Sequence, residues 1–317
     1  MKKSNQHWAK MEERGSRVGL KILLWVYRVF GRRLLWLVLF PVVLFMFLTG
    51  SRARLASYQF FKQAHRVNSD VPKPSFYTSL KHFCQFADSA FDKLDAWLNR
   101  IKQQDLTYND SQVFPRLVEQ NKGAIFIGSH LGNLEVCRAL SYGKYTTKIN
   151  VLVFTDHAVK FNEMLQSLND GVAINLIQVG AMSPALAITL KEKVDNGEMI
   201  VIVGDRTSVT QQNRVEYVPF LGQDAAFSQG PFILAALLDC PIYWFFCFKE
   251  KGGFHVIFEH VSNGLSLPRK QRDIILKEVI TAYAERLAYY AVRYPFQWFN
   301  FFDFWQKDET VSRRKEK

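Results

Sequence analysis

The chain contains no CxxC pair: its four cysteines, Cys84, Cys137, Cys240 and Cys247, stand apart in apolar surroundings among 317 residues. That excludes a zinc ribbon or a dithiol redox motif, and it fits free buried thiols in a reducing compartment. His157, His255 and His260 lack metal-ligand spacing, so no metal site is expected. Missing too are an RNP-type aromatic strand, zinc-finger spacing and a helix-turn-helix with a basic recognition face, so no nucleic-acid partner is expected. There is no internal repeat, no low-complexity linker and no GxSxG elbow for an exposed nucleophilic serine. Acidic residues are in deficit, 29 against 41 Lys and Arg, for a formal charge of +12. Such a balance draws a protein toward polyanions, and with nucleic acid set aside an anionic membrane surface or an acidic protein remains.

What is present is apolar material, 48% hydrophobic and 15% aromatic residues, enough to bury a full core. Residues 1–33 hold nine Lys or Arg and two Glu, and residues 34–49, LLWLVLFPVVLFMFLT, hold no charge. This run is shorter than the ~20 residues that cross a bilayer, and Pro41 lies near its middle. The basic lead is too long for a cleaved signal and no small-residue cleavage pattern follows, so the segment is expected to be retained. Arg52, Arg54, Lys62 and Arg66 follow it, so the positive-inside rule pulls both ends toward the cytoplasm. A kinked or re-entrant anchor and a true span both stand at this point; a buried core helix is the third reading, weighed down because Trp25, Tyr27 and Trp36 beside Arg clusters read as interfacial.

From Ser75 to Ile101 apolar residues recur at helical spacing, as one or two amphipathic helices. After Gly123, short apolar runs at 124–128, 149–153 with Phe154, 174–179 and 199–203 alternate with helix-length segments at 158–169 and 183–196. Residues 229–238 read as a helix, 241–248 and 254–260 as strands, and 268–290 as a long helix. Continuous apolar strands joined by helical crossovers imply an α/β fold, a mostly parallel central sheet flanked by helices.

The stretch GAIFIGSHLGNLE places His130 and Glu135 at a strand-to-helix turn. On one regular helix, residues five apart lie about 140° from each other around the axis. They meet if His130 is on the turn, the helix starts near Asn133 as N-cap, and Glu135 is in its first turn. A carboxylate-held histidine is a general base. With no convincing protein nucleophile, the attacking group is then the substrate's own hydroxyl. The alternative is a satisfied turn histidine beside a helix N-terminal charge. Asp205 and Arg206 follow another apolar strand, whose end in a parallel sheet lies on the same edge. Arg206 is placed either on a phosphate or an oxyanion, or Asp205 serves a structural ion pair. Ser228 is a candidate cap and Gly230 opens a helix whose start can face an anion. The aromatic segment PFQWFNFFDFW, 295–305, is read first as core, then as acyl-cavity lining or membrane contact.

Several ordered blocks, SHLGNLE with His130 and Glu135, Asp205 at a strand end, Phe220-Leu221-Gly222, Gly230 and Leu234-Ala235, resemble the membrane-associated acyltransferases of the lysophospholipid type. Among these they are similar to the late acyltransferases of bacterial lipid A synthesis. Where that branch usually has Asp-Gln, this chain has Asp205-Arg206. The resemblance implies a glycerol-phosphate-acyltransferase-like fold with an N-terminal hydrophobic anchor. Residues 1–55 would form the basic segment and anchor, 56–306 the catalytic domain and 307–317 a charged tail. It implies transfer of a fatty acyl group from a thioester, on acyl carrier protein or coenzyme A as co-substrate and without other cofactor, to a lipid hydroxyl. His130 and Glu135 would be catalytic, with Asn133, Asp205, Arg206 and Gly230 binding substrate, at the cytoplasmic face of a bacterial inner membrane. Two rival classes are a non-catalytic protein that binds anionic membranes, and a thioester hydrolase using Ser129.

Overall fold

A computed structural model describes residues 17–136, 148–153, 174–179, 183–206 and 214–306. The helix expected at 158–169, Cys137, His157 and the 307–317 tail lie outside these residues. Three helices open the chain: α1 (Arg17–Thr49), α2 (Ser51–Val67) and α3 (Phe76–Trp97). The break in α1 falls at Gly31, φ 71°, not at Pro41, and the helix runs on from Gly31 to Thr49 through the proline. This 19-residue stretch is long and apolar enough to cross a membrane. Two residues expected at an interface are used for packing instead. Tyr27 is buried and stacks on Phe91 at 5.7 Å, and Trp36 donates its indole N–H to Asp88, while Trp25 stays exposed. The amphipathic pattern after Ser75 forms one helix, α3, started by the Ser75 hydroxyl accepting from Thr78 N at 3.0 Å.

The rest is an α/β unit. Strands β1 (Leu106–Tyr108), β2 (Ala124–Gly128), β3 (Ile149–Val153), β4 (Ile174–Gln178), β5 (Met199–Val203), β8 (Ile242–Glu250) and β9 (Gly253–Ser262) form one sheet in the order β1-β9-β8-β2-β5-β3-β4. All its pairings are parallel except β8 with β9, which form an antiparallel hairpin. Every residue of β2 is buried, as a central strand covered on both faces requires. Helices α4 (Val113–Glu119), α5 (Pro184–Asp195), α6 (Gly230–Leu238) and α7 (Arg272–Arg293) flank the sheet. Elements not read from the sequence are α2, the short α4, the three-residue β1, and a separate hairpin of β6 (Val215–Phe220) and β7 (Gln223–Ser228). Its turn residues, Leu221 and Gly222, both have positive φ, 50° and 82°, the geometry of tight hairpin turns.

The aromatic segment before residue 306 is core, as the first of its three readings has it. Trp298 is fully buried, edge-on to Phe60 at 4.9 Å and to Phe220 at 5.2 Å. Phe301 packs on Phe83 and His82, each at 4.7 Å between ring centres. Below it His82, 0% exposed, is bonded through Nδ1 to Ser57 Oγ at 3.0 Å and through Nε2 to the Trp298 carbonyl at 2.9 Å. A carbonyl only accepts, so Nε2 carries the proton and the serine donates to Nδ1. Three distant segments are thus pinned on one neutral imidazole.

Burial holds the His82 pKa down to about 4. A histidine kept neutral by the fold contributes stability that is complete above its unfolded pKa, near ~6.5, and that is lost as pH falls toward the folded value. We expect the thermal midpoint to fall between about pH 6.5 and about pH 4, His82 alone contributing of order 3 kcal/mol. A His82→Gln variant, less stable at neutral pH, will lose less over that window; equal losses in both proteins would exclude His82 as the source.

Candidate active site

The site follows from one pairing. Strands β2 and β5 run parallel with Gly128 opposite Val203, and Gly204 N extends the ladder to Gly128 O at 2.9 Å. Two residues beyond each strand end, His130 and Asp205 therefore emerge side by side at the carboxyl edge of the sheet, where parallel α/β folds collect ligands. Asp205 is 2% exposed and holds the histidine twice. Its Oδ2 accepts from His130 N at 2.8 Å and its Oδ1 faces His130 Nδ1 at 2.8 Å. Trp298 Nε1 donates to Oδ2 at 3.2 Å.

The turn after His130 is fixed by its backbone. Phe299 N donates to His130 O at 3.0 Å, Gly132 N to Gln297 O at 2.8 Å and Asn133 N to Cys247 O at 2.8 Å. Gly132 has φ 81°, and a β-carbon there would sit 2.0 Å from the Cys247 carbonyl oxygen, so only glycine fits. Under this turn Tyr283 donates its hydroxyl to Gly128 O at 2.7 Å.

Burial lowers the Asp205-bound imidazole's pKa, the Arg206 charge adds to the lowering, and Asp205 opposes both; the balance lies below the ordinary histidine value. Burial pushes the Asp205 carboxyl up, but the His130 charge, the His130 hydrogen bonds and Arg206 outweigh it and hold it below the usual carboxylate range. The carboxylate is therefore ionised at neutral pH and fixes the Nδ1–H tautomer. His130 Nε2 has no hydrogen-bond partner among the described residues, and the side chain is 31% exposed. The arrangement leaves the Nε2 lone pair directed away from the carboxylate and able to take a proton.

The structure gathers three of the six residues singled out in the sequence: His130, Asp205 and Arg206. Arg206 lies over the Phe302 ring at 5.8 Å, and its pKa is lowered by burial against the pull of Asp205. The expected pairing of His130 with Glu135 is not the one formed. Residues 134–136 are helical, and Glu135 reaches α3, where its Oε2 accepts from Trp97 Nε1 at 3.2 Å. Asn133 is not a side-chain N-cap. Its amide donates to Ser89 O at 3.1 Å, while its Oδ1 is buried without a hydrogen-bond partner among the described residues. Gly230 N donates to Ser228 Oγ at 3.2 Å, so Ser228 holds the start of α6. No hydrogen bond among the described residues joins Gly230 to the His130–Asp205 pair. Ser129 is 2% exposed, and its hydroxyl oxygen accepts from Leu131 N at 3.1 Å, a poor posture for a nucleophile. Two contributors escaped the sequence reading. Trp298 was visible only as one aromatic among many, and Tyr283 had no signal beyond its place on a helix. Among the described residues no group of three His, Cys, Asp or Glu side chains is arranged to hold a metal ion.

No curated protein gives a significant match to the chain. A family profile does match: the one described as bacterial lipid A biosynthesis acyltransferase, over residues 85–307, which takes in the whole sheet, the His130 turn, Asp205 and the aromatic segment. The His130–Asp205 pair at the sheet edge thus lies inside the matched region, and the chain belongs to the bacterial lipid A biosynthesis acyltransferase family.

Proposed function

We propose that this acyltransferase moves a fatty acyl group from a thioester to a hydroxyl of a lipid A precursor or related glycolipid, with His130 as general base and Asp205 as its orienting carboxylate. The observation that supports this most is the His130 Nδ1 contact with Asp205 at 2.8 Å, with Nε2 unpartnered among the described residues. In the step itself Nε2 takes the proton of the acceptor hydroxyl, and the oxygen attacks the thioester carbonyl, forming the C–O bond. The tetrahedral oxyanion then collapses, the C–S bond breaks, and the leaving thiolate recovers the proton from the imidazolium. Asp205 stabilises that imidazolium, as the buried carboxylate of a catalytic triad does.

Arg206 is assigned to a phosphate of the acceptor or to the developing oxyanion, as a partly buried guanidinium beside the His130–Asp205 pair. The donor is carried by acyl carrier protein or coenzyme A, both acidic, which the formal charge of +12 favours. The domain works at the cytoplasmic face of an inner membrane, an assignment supported by the apolar Gly31–Thr49 helix and the basic residues on both sides of it. Glu135, through Trp97, keeps the catalytic turn seated on α3. A hydrolase using Ser129 is disfavoured by the burial of that hydroxyl.

Three outcomes test the assignment by transfer of labelled acyl groups to lipid. His130→Ala and Asp205→Asn each lose roughly 10²- to 10⁴-fold in kcat, with vesicle binding unchanged. Glu135→Gln stays within about tenfold of wild type, since it lacks a charge-assisted contact to the base. Near-wild-type Asp205→Asn beside an inactive Glu135→Gln would return the orienting role to Glu135. Because activity needs the neutral imidazole, the acid limb of the kcat/KM profile lies below the ~6.5 of free histidine. Arg206→Gln removes a charge that lowers the His130 pKa, and so moves that limb to higher pH. A limb that stays in place would separate Arg206 from the base.

A further inference from the structure

The apolar part of α1 is tied to the rest of the protein at both ends. At its start Arg32 Nη1 bonds Asp92 at 2.8 Å and Arg32 Nε bonds Asp88 at 3.1 Å. Both carboxylates are also held by Lys249 of the central sheet, at 2.8 Å and 3.1 Å. Midway, Leu35 and Val43 are buried. At its end Phe47 meets Phe76 and Phe83 edge-on, at 4.8 and 5.1 Å. Arg54 of α2 then donates to the last carbonyls, those of Phe47 at 2.6 Å and Leu48 at 2.8 Å. Since Arg32 meets residues 88 and 92 while Phe47 meets residues 76 and 83, α1 lies antiparallel along nearly all of α3. The next helix, α2, begins at Ser51 and sends Phe60 and Phe61 into the main core.

The opposite arc of α1 faces outward. Leu37 is 71% exposed, Phe45 66% and Val38 61%, and Phe76 and Tyr77 of α3 and Leu55 and Tyr58 of α2 are exposed as well. Exposed Arg52, Lys62, Arg66 and Lys81 stand on the same two helices.

A 19-residue helix is about 28 Å long, close to the ~30 Å of a hydrocarbon core, so length alone permits a span. The ties forbid it. To cross, the helix would carry α3 to the same depth, and with it Asp88, Asp92, Lys249 and the exposed Lys81, into a medium where buried charge is heavily penalised. We infer that Gly31–Thr49 lies in one leaflet without crossing, its apolar arc and the exposed apolar flanks of α2 and α3 immersed in lipid and the basic residues set among anionic headgroups. Lipid is the occupant because the arc is apolar and broad and is accompanied by cations, as interfacial anchors are. The inference rests on the membrane association proposed above and goes beyond it by fixing the mode.

Arg33 and Arg52, both exposed, bracket the segment. Arg33→Cys and Arg52→Cys in the full chain are to be labelled with an impermeant maleimide in sealed vesicles of known sidedness, the native thiols of the parent protein giving the background. Labelling of both from one face supports the inference; labelling from opposite faces establishes a span and overturns it, leaving membrane association standing. In sedimentation with phosphatidylethanolamine–phosphatidylglycerol vesicles, Val38→Asp lowers the bound fraction by about tenfold or more at an unchanged thermal midpoint. Undiminished binding by Val38→Asp would overturn the lipid-facing arc. Failure of the parent protein itself to sediment would overturn both this mode and the membrane reading beneath it.

Discussion

The parallel pairing of β2 with β5 is the constraint on which the rest of the molecule turns. A parallel pair delivers both of its chain exits to one edge, and the register Gly128 to Val203 makes the second residue past each exit a neighbour of the other. The base and its carboxylate come from segments 75 residues apart in sequence, yet their relative position is set by the ladder and not by a flexible loop. Rigid placement matters because a general base works only within hydrogen-bond reach of the proton it removes.

That placement is reinforced from beneath. Trp298 contributes its indole to Asp205 and its carbonyl to His82, and His82 ties to Ser57 of α2. The chain of contacts passes from the carboxylate that holds His130, through one buried aromatic residue, to the helices that bear the apolar surface. Each polar group along it is satisfied, which is the condition under which buried polar networks specify a unique core instead of weakening it. The aromatic segment at 295–305 thus has a double use, filling the core with its rings and ordering the site with its polar atoms.

Most of the sheet is legible in the sequence, because short apolar runs bounded by glycine and polar residues can satisfy only a doubly covered parallel strand. The runs at 124–128 and 199–203 are read at their exact bounds. The base is legible as well, since His130 stands directly after such a run. The choice of its partner is not. Local spacing favours Glu135, but whether a residue 75 positions away in the chain is nearer than one five positions on depends on strand order, and order is a property of the whole sheet. The same reason hides Trp298. Nothing in an aromatic-rich segment says which ring turns a polar edge toward a carboxylate. The turn at Asn133 also escaped, because its cap was inferred from residue type alone, while the side chain is claimed by Ser89 of α3.

The attachment of α1 to α3 at both ends also bears on the kinetics of the enzyme. In the membrane mode inferred above, a helix held flat against the domain would keep the sheet edge at one fixed height above the lipid plane, and Asn133, bonded to the same α3, would share that height with the histidine three residues before it. Encounter with the acceptor then becomes a two-dimensional search. Turnover will follow the mole fraction of acceptor in the bilayer rather than its bulk concentration, and diluting the surface with inert lipid will slow the enzyme even when the total amount of acceptor is unchanged.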